Sequence, residues 1–162
     1  MATSIEAVSW DQDYSPCKYD CDMDGNYTID CEGRLIASEV LAAFRRNQNN
    51  TNIDVLIFNN MDDDMTDDIF NEILEIVASA ASHRVSTINI KQIPKLTKFP
   101  EAIRQFLNLN NVGLIMLHGI KRISHGSINF PIKSPTEFYF IYSENLSVIE
   151  PGAFQGIKHH QN

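Results

Sequence analysis

After residue 31 the chain contains no cysteine. Cys17, Cys21 and Cys31 lie together near the N-terminus. That excludes a disulfide framework distributed along the fold and leaves a local staple at one end. The odd count leaves one thiol outside any pairing within the chain. Long apolar runs are also missing: nothing approaches the ~18–20 residues that a membrane span needs. The N-terminal stretch MATSIEAVSWDQDYSP has neither the basic nor the apolar region of a signal peptide. For a secreted protein, the targeting segment then lies outside this sequence.

Catalytic signatures are equally scarce. There is no Gly-x-Ser-x-Gly elbow, no glycine-rich phosphate loop after a strand and no Cys/His arrangement beyond composition. His118, His125 and His159 are isolated and read as surface or turn residues. The expectation is a protein without enzymatic activity and without a cofactor.

Positive charge is rare in the first half. Residues 1–75 hold 17 acidic and 4 basic side chains, whereas residues 76–162 hold 4 and 9. This asymmetry argues against nucleic acid as partner. Hydrophobic residues make up 43% of the 162, enough for one domain with a core.

What is present begins with DCDMDGNYTIDCE (Asp20–Glu32). Asp20, Asp22, Asp24 and Gly25 match the start of a calcium loop, but Cys31 stands at the twelfth position where a bidentate acid belongs. DMDGN reads instead as an acidic hairpin tip. An acidic calcium-binding protein using the first 70 residues remains an alternative. Zinc on the three cysteines would need a distant histidine, and disulfide pairing within this segment is favoured. Cys31, ending a strand, is expected to be bonded; its partner is left open.

Residues 1–16 are polar and aperiodic and read as a flexible leader. NYTIDC alternates like a short strand. SEVLAAFRR reads as a short helix capped by Ser38, with Val40, Leu41 and Phe44 on one face. IDVLIF (Ile53–Phe58) reads as a strand buried on both faces. The clearest helix follows Thr66 as cap, with Asp67 and Asp68 in the first turn and Ile69, Ile73, Ile76, Val77 and Ala80 on one face.

After residue 84 a repeat appears. Apolar residues recur at Ile88, Ile90, Leu96 and Phe99, at Val112, Leu114, Ile120 and Ile123, and at Phe138, Phe140, Leu146 and Ile149. The units are 24 and 26 residues apart. One such unit cannot bury its own apolar edge, so units must stack, which predicts a solenoid with a parallel sheet. Segments 88–90, 112–114 and 138–140 should be neighbours in it. In the first unit PEAIRQFL adds a short helix with Pro100 at its first position. Asn89, Lys91, Gly113, Ile115, Tyr139 and Ile141 alternate with the inward residues and should line the concave, partner-binding face. Stacking also brings Lys95, Lys98, Lys121 and Arg122 to one basic edge.

NLSVIEPGAFQG (Asn145–Gly156) resembles the outer half of an extracellular leucine-rich repeat. PCKYDCDMDGNYTIDCEGRL (Pro16–Leu35) looks like the cysteine-rich N-terminal cap of that family. SEVLAAF after it is similar to secreted arthropod leucine-rich-repeat proteins, a group that includes the non-catalytic subunit of luciferin 2-monooxygenase. The resemblance covers Cys17–Phe44 and Val85–Ile157. It implies a right-handed α/β horseshoe, secretion and no catalytic residues. The domain plan is then a cap and short helix over 17–45, an irregular repeat with the long helix over 46–84, three repeats over 85–157 and a tail over 158–162, without a C-terminal cap. Two departures stand out. Pro94, His118 and Glu144 replace the family's ladder asparagine, and the cap has three cysteines where four are usual.

The function expected is an extracellular protein-binding module. A non-catalytic subunit that stabilises an enzyme partner is the alternative on the same fold. A doubly wound α/β enzyme domain is disfavoured because the late strands recur too closely for full crossover helices. Asn26, Asn49 and Asn145 stand in Asn-x-Ser/Thr sequons as glycosylation candidates.

Overall fold

In the computed structural model the chain is a mixed α/β protein built on a parallel-dominated sheet. The structure describes residues 12–62, 64–130, 135–141 and 143–155, with Ile141 described by its backbone alone. A hairpin starts the sheet: β1 (Lys18–Cys21) runs antiparallel to β2 (Tyr27–Glu32). Its turn is closed by the Asp22 carboxylate, which accepts the amides of Asp24 and Asn26, each at 2.9 Å. Gly25 sits there at φ 80°, a left-handed conformation that suits glycine.

From β2 onward every neighbour in this sheet is parallel. β3 (Val55–Asn59), β4 (Thr87–Lys91) and β5 (Asn111–Ile115) add in chain order. β6 (Arg122–Ile123) leaves the sheet, β7 (Glu137–Ile141) pairs with β5, and β8 (Val148–Ile149) joins β6 in a separate two-stranded parallel sheet. The expected segments 88–90, 112–114 and 138–140 are thus neighbours in one parallel sheet.

Register makes the repetition explicit. Ile29, Leu56, Ile88, Val112 and Phe138 lie side by side, 27, 32, 24 and 26 residues apart. The long interval holds a 15-residue helix. The same turn follows each of four strands: Gly33, Asn60, Gln92 and Met116 all have positive φ, from 53° to 95°. The N–H groups of Gly33, Asn60 and Gln92 donate to the last carbonyl of the next strand, on Asn59, Lys91 and Ile115. For Gln92 and Met116 this backbone costs roughly 1–2 kcal/mol against their own preference, so neighbouring units impose it.

Two helices and a 3-10 turn cover one face of the sheet. α1 spans Ala37–Arg46 and α2 spans Asp67–Ala81; the 3-10 turn is Glu101–Gln105, with Pro100 just before it rather than inside it. Thr66 caps α2 through the Ile69 amide, and Asp67 and Asp68 occupy its first turn. Ser38 does not cap α1. It lies inside the helix, and the carboxylate of Asp64, from the next unit, accepts the Ala37 amide instead.

α2 buries Phe70, Ile73, Leu74, Val77, Ala78 and Ala81, while Ile69, Ile76 and Ala80 are half-buried. Its buried face is therefore turned from the expected one, because the sheet draws in Phe70 and Leu74 while α1 and the 3-10 turn flank it. β3 corrects a second expectation. Leu56 and Phe58 are buried, but Val55 and Ile57 are half-exposed, since α2 covers one face only. A third concerns the leader: Tyr14 is 2% exposed, stacked edge-on to Phe44, and belongs to the core. Residues 1–11 and the tail at 158–162 lie outside the described residues.

The inward residues at 88, 90, 96, 99, 112, 114, 120 and 123 are all buried. Ile93 and Leu117 join them at equivalent places. Gly119 lets successive units close up: a Cβ there would lie 2.5 Å from the Leu96 carbonyl oxygen. At the last unit burial falls away. Phe138, Phe140 and Leu146 are half-buried, and Ile149 is 53% exposed.

Candidate functional site: the helix-free face and the N-terminal hairpin

Alternation within each strand decides which side chains face away from the helices. Between the inward residues of β4 and β5 lie Asn89, Lys91 and Ile115, half-exposed, and Gly113. On β7 Tyr139 is 44% exposed. Its hydroxyl donates to Glu137 at 3.1 Å, and that carboxylate holds the phenol above its usual range. The side chain of Ile141 lies outside the described residues. Asn89 leans over Gly113, so a Cβ on the glycine would meet its Oδ1 at 2.7 Å. The chosen face residues with described side chains therefore do share one face of the sheet.

That face is wider than the repeat pattern suggests. It continues over Thr28, Asp30 and Glu32 on β2 and Val55, Ile57 and Asn59 on β3, all outside the buried set. Two-residue alternation with Ile29 and Cys31, and with Leu56 and Phe58, is the signal that finds them. One row across the strands reads Asp30, Ile57, Asn89, Gly113, Tyr139. The next contains Glu32, Asn59, Lys91 and Ile115. Asn59 Nδ2 donates to Glu32 Oε1 at 3.3 Å. Desolvation, then the negative charge of Glu32, raises the Asp30 carboxyl, against a smaller opposing effect of Lys18.

The hairpin carries the cysteines. Cys17 and Cys31 form a disulfide with both residues buried, and Cys21 is an exposed thiol. Asp20 lies on β1, Asp22 spends its carboxylate on the turn amides, and Asp24 is exposed. Hydrogen bonds from the amide and side chain of Asn26 hold the Asp22 carboxyl below its usual range. Among the described residues no group of three or more His, Cys, Asp or Glu side chains is placed to hold a metal ion.

Lys95, Lys98, Lys121 and Arg122 are all exposed. Lys98 and Arg122 line one shallow hollow with Phe99, Ile120 and Phe140. Arg122 also pairs with Glu150 at 3.3 Å, which offsets part of the positive charge of this edge. The sequon asparagines differ in engagement. Asn26 donates to Asp22 Oδ2 and Asn145 to the His118 carbonyl, while Asn49 is exposed on the turn after α1. Asn145 thus makes a bond between successive units. An open hollow of about 420 Å³ beside Asn49 is lined by Gln48, Thr51, Ile76, Ser79 and Ala80, with no titratable side chain.

Among the described residues no helix is long and apolar enough to cross a membrane. Comparison with protein-family models, curated proteins and solved structures finds no match.

Proposed function

We propose that this chain is a non-enzymatic, extracellular leucine-rich-repeat binding module that holds a protein partner on the concave, helix-free face of a right-handed horseshoe. The observation that carries the reading is the in-register row Ile29, Leu56, Ile88, Val112, Phe138, with strands added in chain order and the same left-handed turn after each of four. Such stacking presents side chains from successive units at about 4.8 Å spacing. A surface already ordered loses little entropy on binding. Tyr139 is the anchor, a large, exposed ring with a polar tip. The buried disulfide supports an oxidising, extracellular setting.

The test is affinity capture with the secreted protein as bait. An Asn89→Lys/Tyr139→Ala bait should lose the captured partner. A Glu39→Gln/Glu75→Gln bait, altered on the helices, should keep it. Retention by both baits, or loss by both, rejects the face as the binding surface.

A further inference from the structure

We propose that Asn49 carries an N-linked glycan whose first sugar lies in the hollow between α2 and the turn after α1. This rests on the extracellular part of the reading above and adds a modification site on the helix side of the sheet.

The acceptor is Asn49-Asn50-Thr51. Its middle residue belongs to the core. Asn50 is 3% exposed, and its side-chain amide donates to the hydroxyls of Tyr14 at 3.1 Å and Tyr19 at 3.2 Å. Its Oδ1 accepts the Asn52 amide at 2.9 Å. These bonds hold the loop from inside, while Asn49 and Thr51 on either side are exposed. Transfer of a glycan needs both of those: the asparagine nitrogen as nucleophile and the hydroxyl two residues on. Among the described residues neither side chain is hydrogen-bonded within the chain.

The other two sequons are engaged in the fold. Asn26 Nδ2 donates to Asp22 Oδ2 at 3.2 Å in the hairpin turn, and Thr28 is paired with Asp20 on β1 and Val55 on β3. Asn145 Nδ2 donates to the His118 carbonyl at 2.8 Å, and Ser147 Oγ to the Lys121 carbonyl at 3.2 Å. A sugar on either nitrogen competes with a bond that closes the hairpin or clamps the last unit to the one before. On Asn49 it competes with no such bond.

The hollow beside Asn49 suits an uncharged sugar. Its volume of about 420 Å³ lies within the range of small-ligand pockets. Ile76 and Ala80, half-buried on α2, offer an apolar floor to the C–H face of a pyranose. Gln48, Thr51 and Ser79 supply donors and acceptors for its hydroxyl and N-acetyl groups. The helix α2 packs on the side of the sheet away from Asn89 and Tyr139, so the glycan leaves that face free.

The donor is a lipid-linked diphospho-oligosaccharide ending in N-acetylglucosamine. Asn49 Nδ2 attacks the anomeric carbon of that sugar. The C–N bond forms, the C–O bond to phosphate breaks and the lipid diphosphate leaves. One amide proton passes to solvent, and nothing is oxidised or reduced.

The test uses the full chain, led into the secretory pathway of cultured eukaryotic cells by an added signal peptide. Glycopeptide mapping should find position 49 occupied in most molecules, and positions 26 and 145 in few. Thr51→Ala should abolish the modification although Asn49 is untouched, and Thr51→Ser should restore it. Bare Asn49, or occupancy at 26 or 145 equal to that at 49, overturns the assignment. Chain retained in the cell yet glycosylated at Asn49 supports the site and counts against the extracellular reading. Secreted chain with bare Asn49 overturns the site and leaves that reading standing. Thermal midpoints read the seat in the hollow. Protein trimmed enzymatically to its first sugar should keep the midpoint of the fully glycosylated form, and Asn49→Gln should lie about 2 °C lower. Equal midpoints in all three, or a trimmed form as low as Asn49→Gln, overturn the seat.

Discussion

Cys17 and Cys31 face each other as the next cross-strand pair of the first hairpin, their Cα atoms 4.4 Å apart. Lys18 stands opposite Asp30, so the register carries residue 17 to residue 31. The separation is that of a non-hydrogen-bonded antiparallel pair, where side chains approach most closely. Cys21 stands opposite Tyr27, with no cysteine across from it.

Loss of this bond should be costly because it closes a 14-residue separation. Cys17→Ala/Cys31→Ala should lower unfolding free energy by about 2–4 kcal/mol in urea titrations. Cys21→Ser should change it by less than about 0.5 kcal/mol. In the native protein iodoacetamide should add once, at Cys21, by intact mass; protection of Cys21, or labelling at Cys17 or Cys31, contradicts the pairing.

Asp54 should matter more than the arginine that binds it. One carboxylate oxygen accepts the Tyr27 amide at 2.7 Å, and the other pairs with Arg84 Nε at 3.0 Å. The guanidinium also lies 5.3 Å from the Tyr27 ring centroid. Asp54→Ala leaves a part-buried amide without an acceptor and should cost about 2–3 kcal/mol. Arg84→Met removes a partly exposed pair and a ring contact and should cost about 1 kcal/mol. Equal losses in denaturant titrations would falsify the carboxylate as the hub.

Alkaline pH should destabilise the hairpin side of the core through Tyr14. Burial pushes its phenol up to about 12, opposed in part by the Asn50 amide that donates to it. The unfolded chain releases this proton near pH 10. The folded state therefore keeps a proton that the unfolded state loses. The contribution is complete below about pH 10 and disappears as pH rises toward about 12. Burial raises Tyr19 in the same direction. Thermal midpoints between pH 9 and 12 should fall, less steeply in Tyr14→Phe; identical slopes count against the assignment.

The repeat after residue 84 was legible because Ile88, Val112 and Phe138 begin apolar sets at nearly equal spacing. The unit of β3 was harder. The apolar run begins at Ile53, yet the residue in register with Ile88 is Leu56, and α2 lengthens the interval. The left-handed turns were hidden for a related reason. Gly33 and Asn60 suit that backbone, but Gln92 and Met116 give no local sign of it. The face residues over β4, β5 and β7 follow from alternation, whereas Asp30, Glu32 and Asn59 join them only through the parallel register of β2 with β3.

By itself the sequence determined strands β2, β3, β4, β5 and β7, the two helices, the cysteine staple and the order in which units must stack. Each rests on local periodicity or on an apolar edge that one unit cannot bury alone. Only the tertiary structure decided which cysteines pair, which face of α2 is covered, that Tyr14 is core, and that Asn59 binds Glu32 across two strands. These depend on contacts between residues far apart in the chain, where register and neighbouring units outweigh what any residue prefers locally.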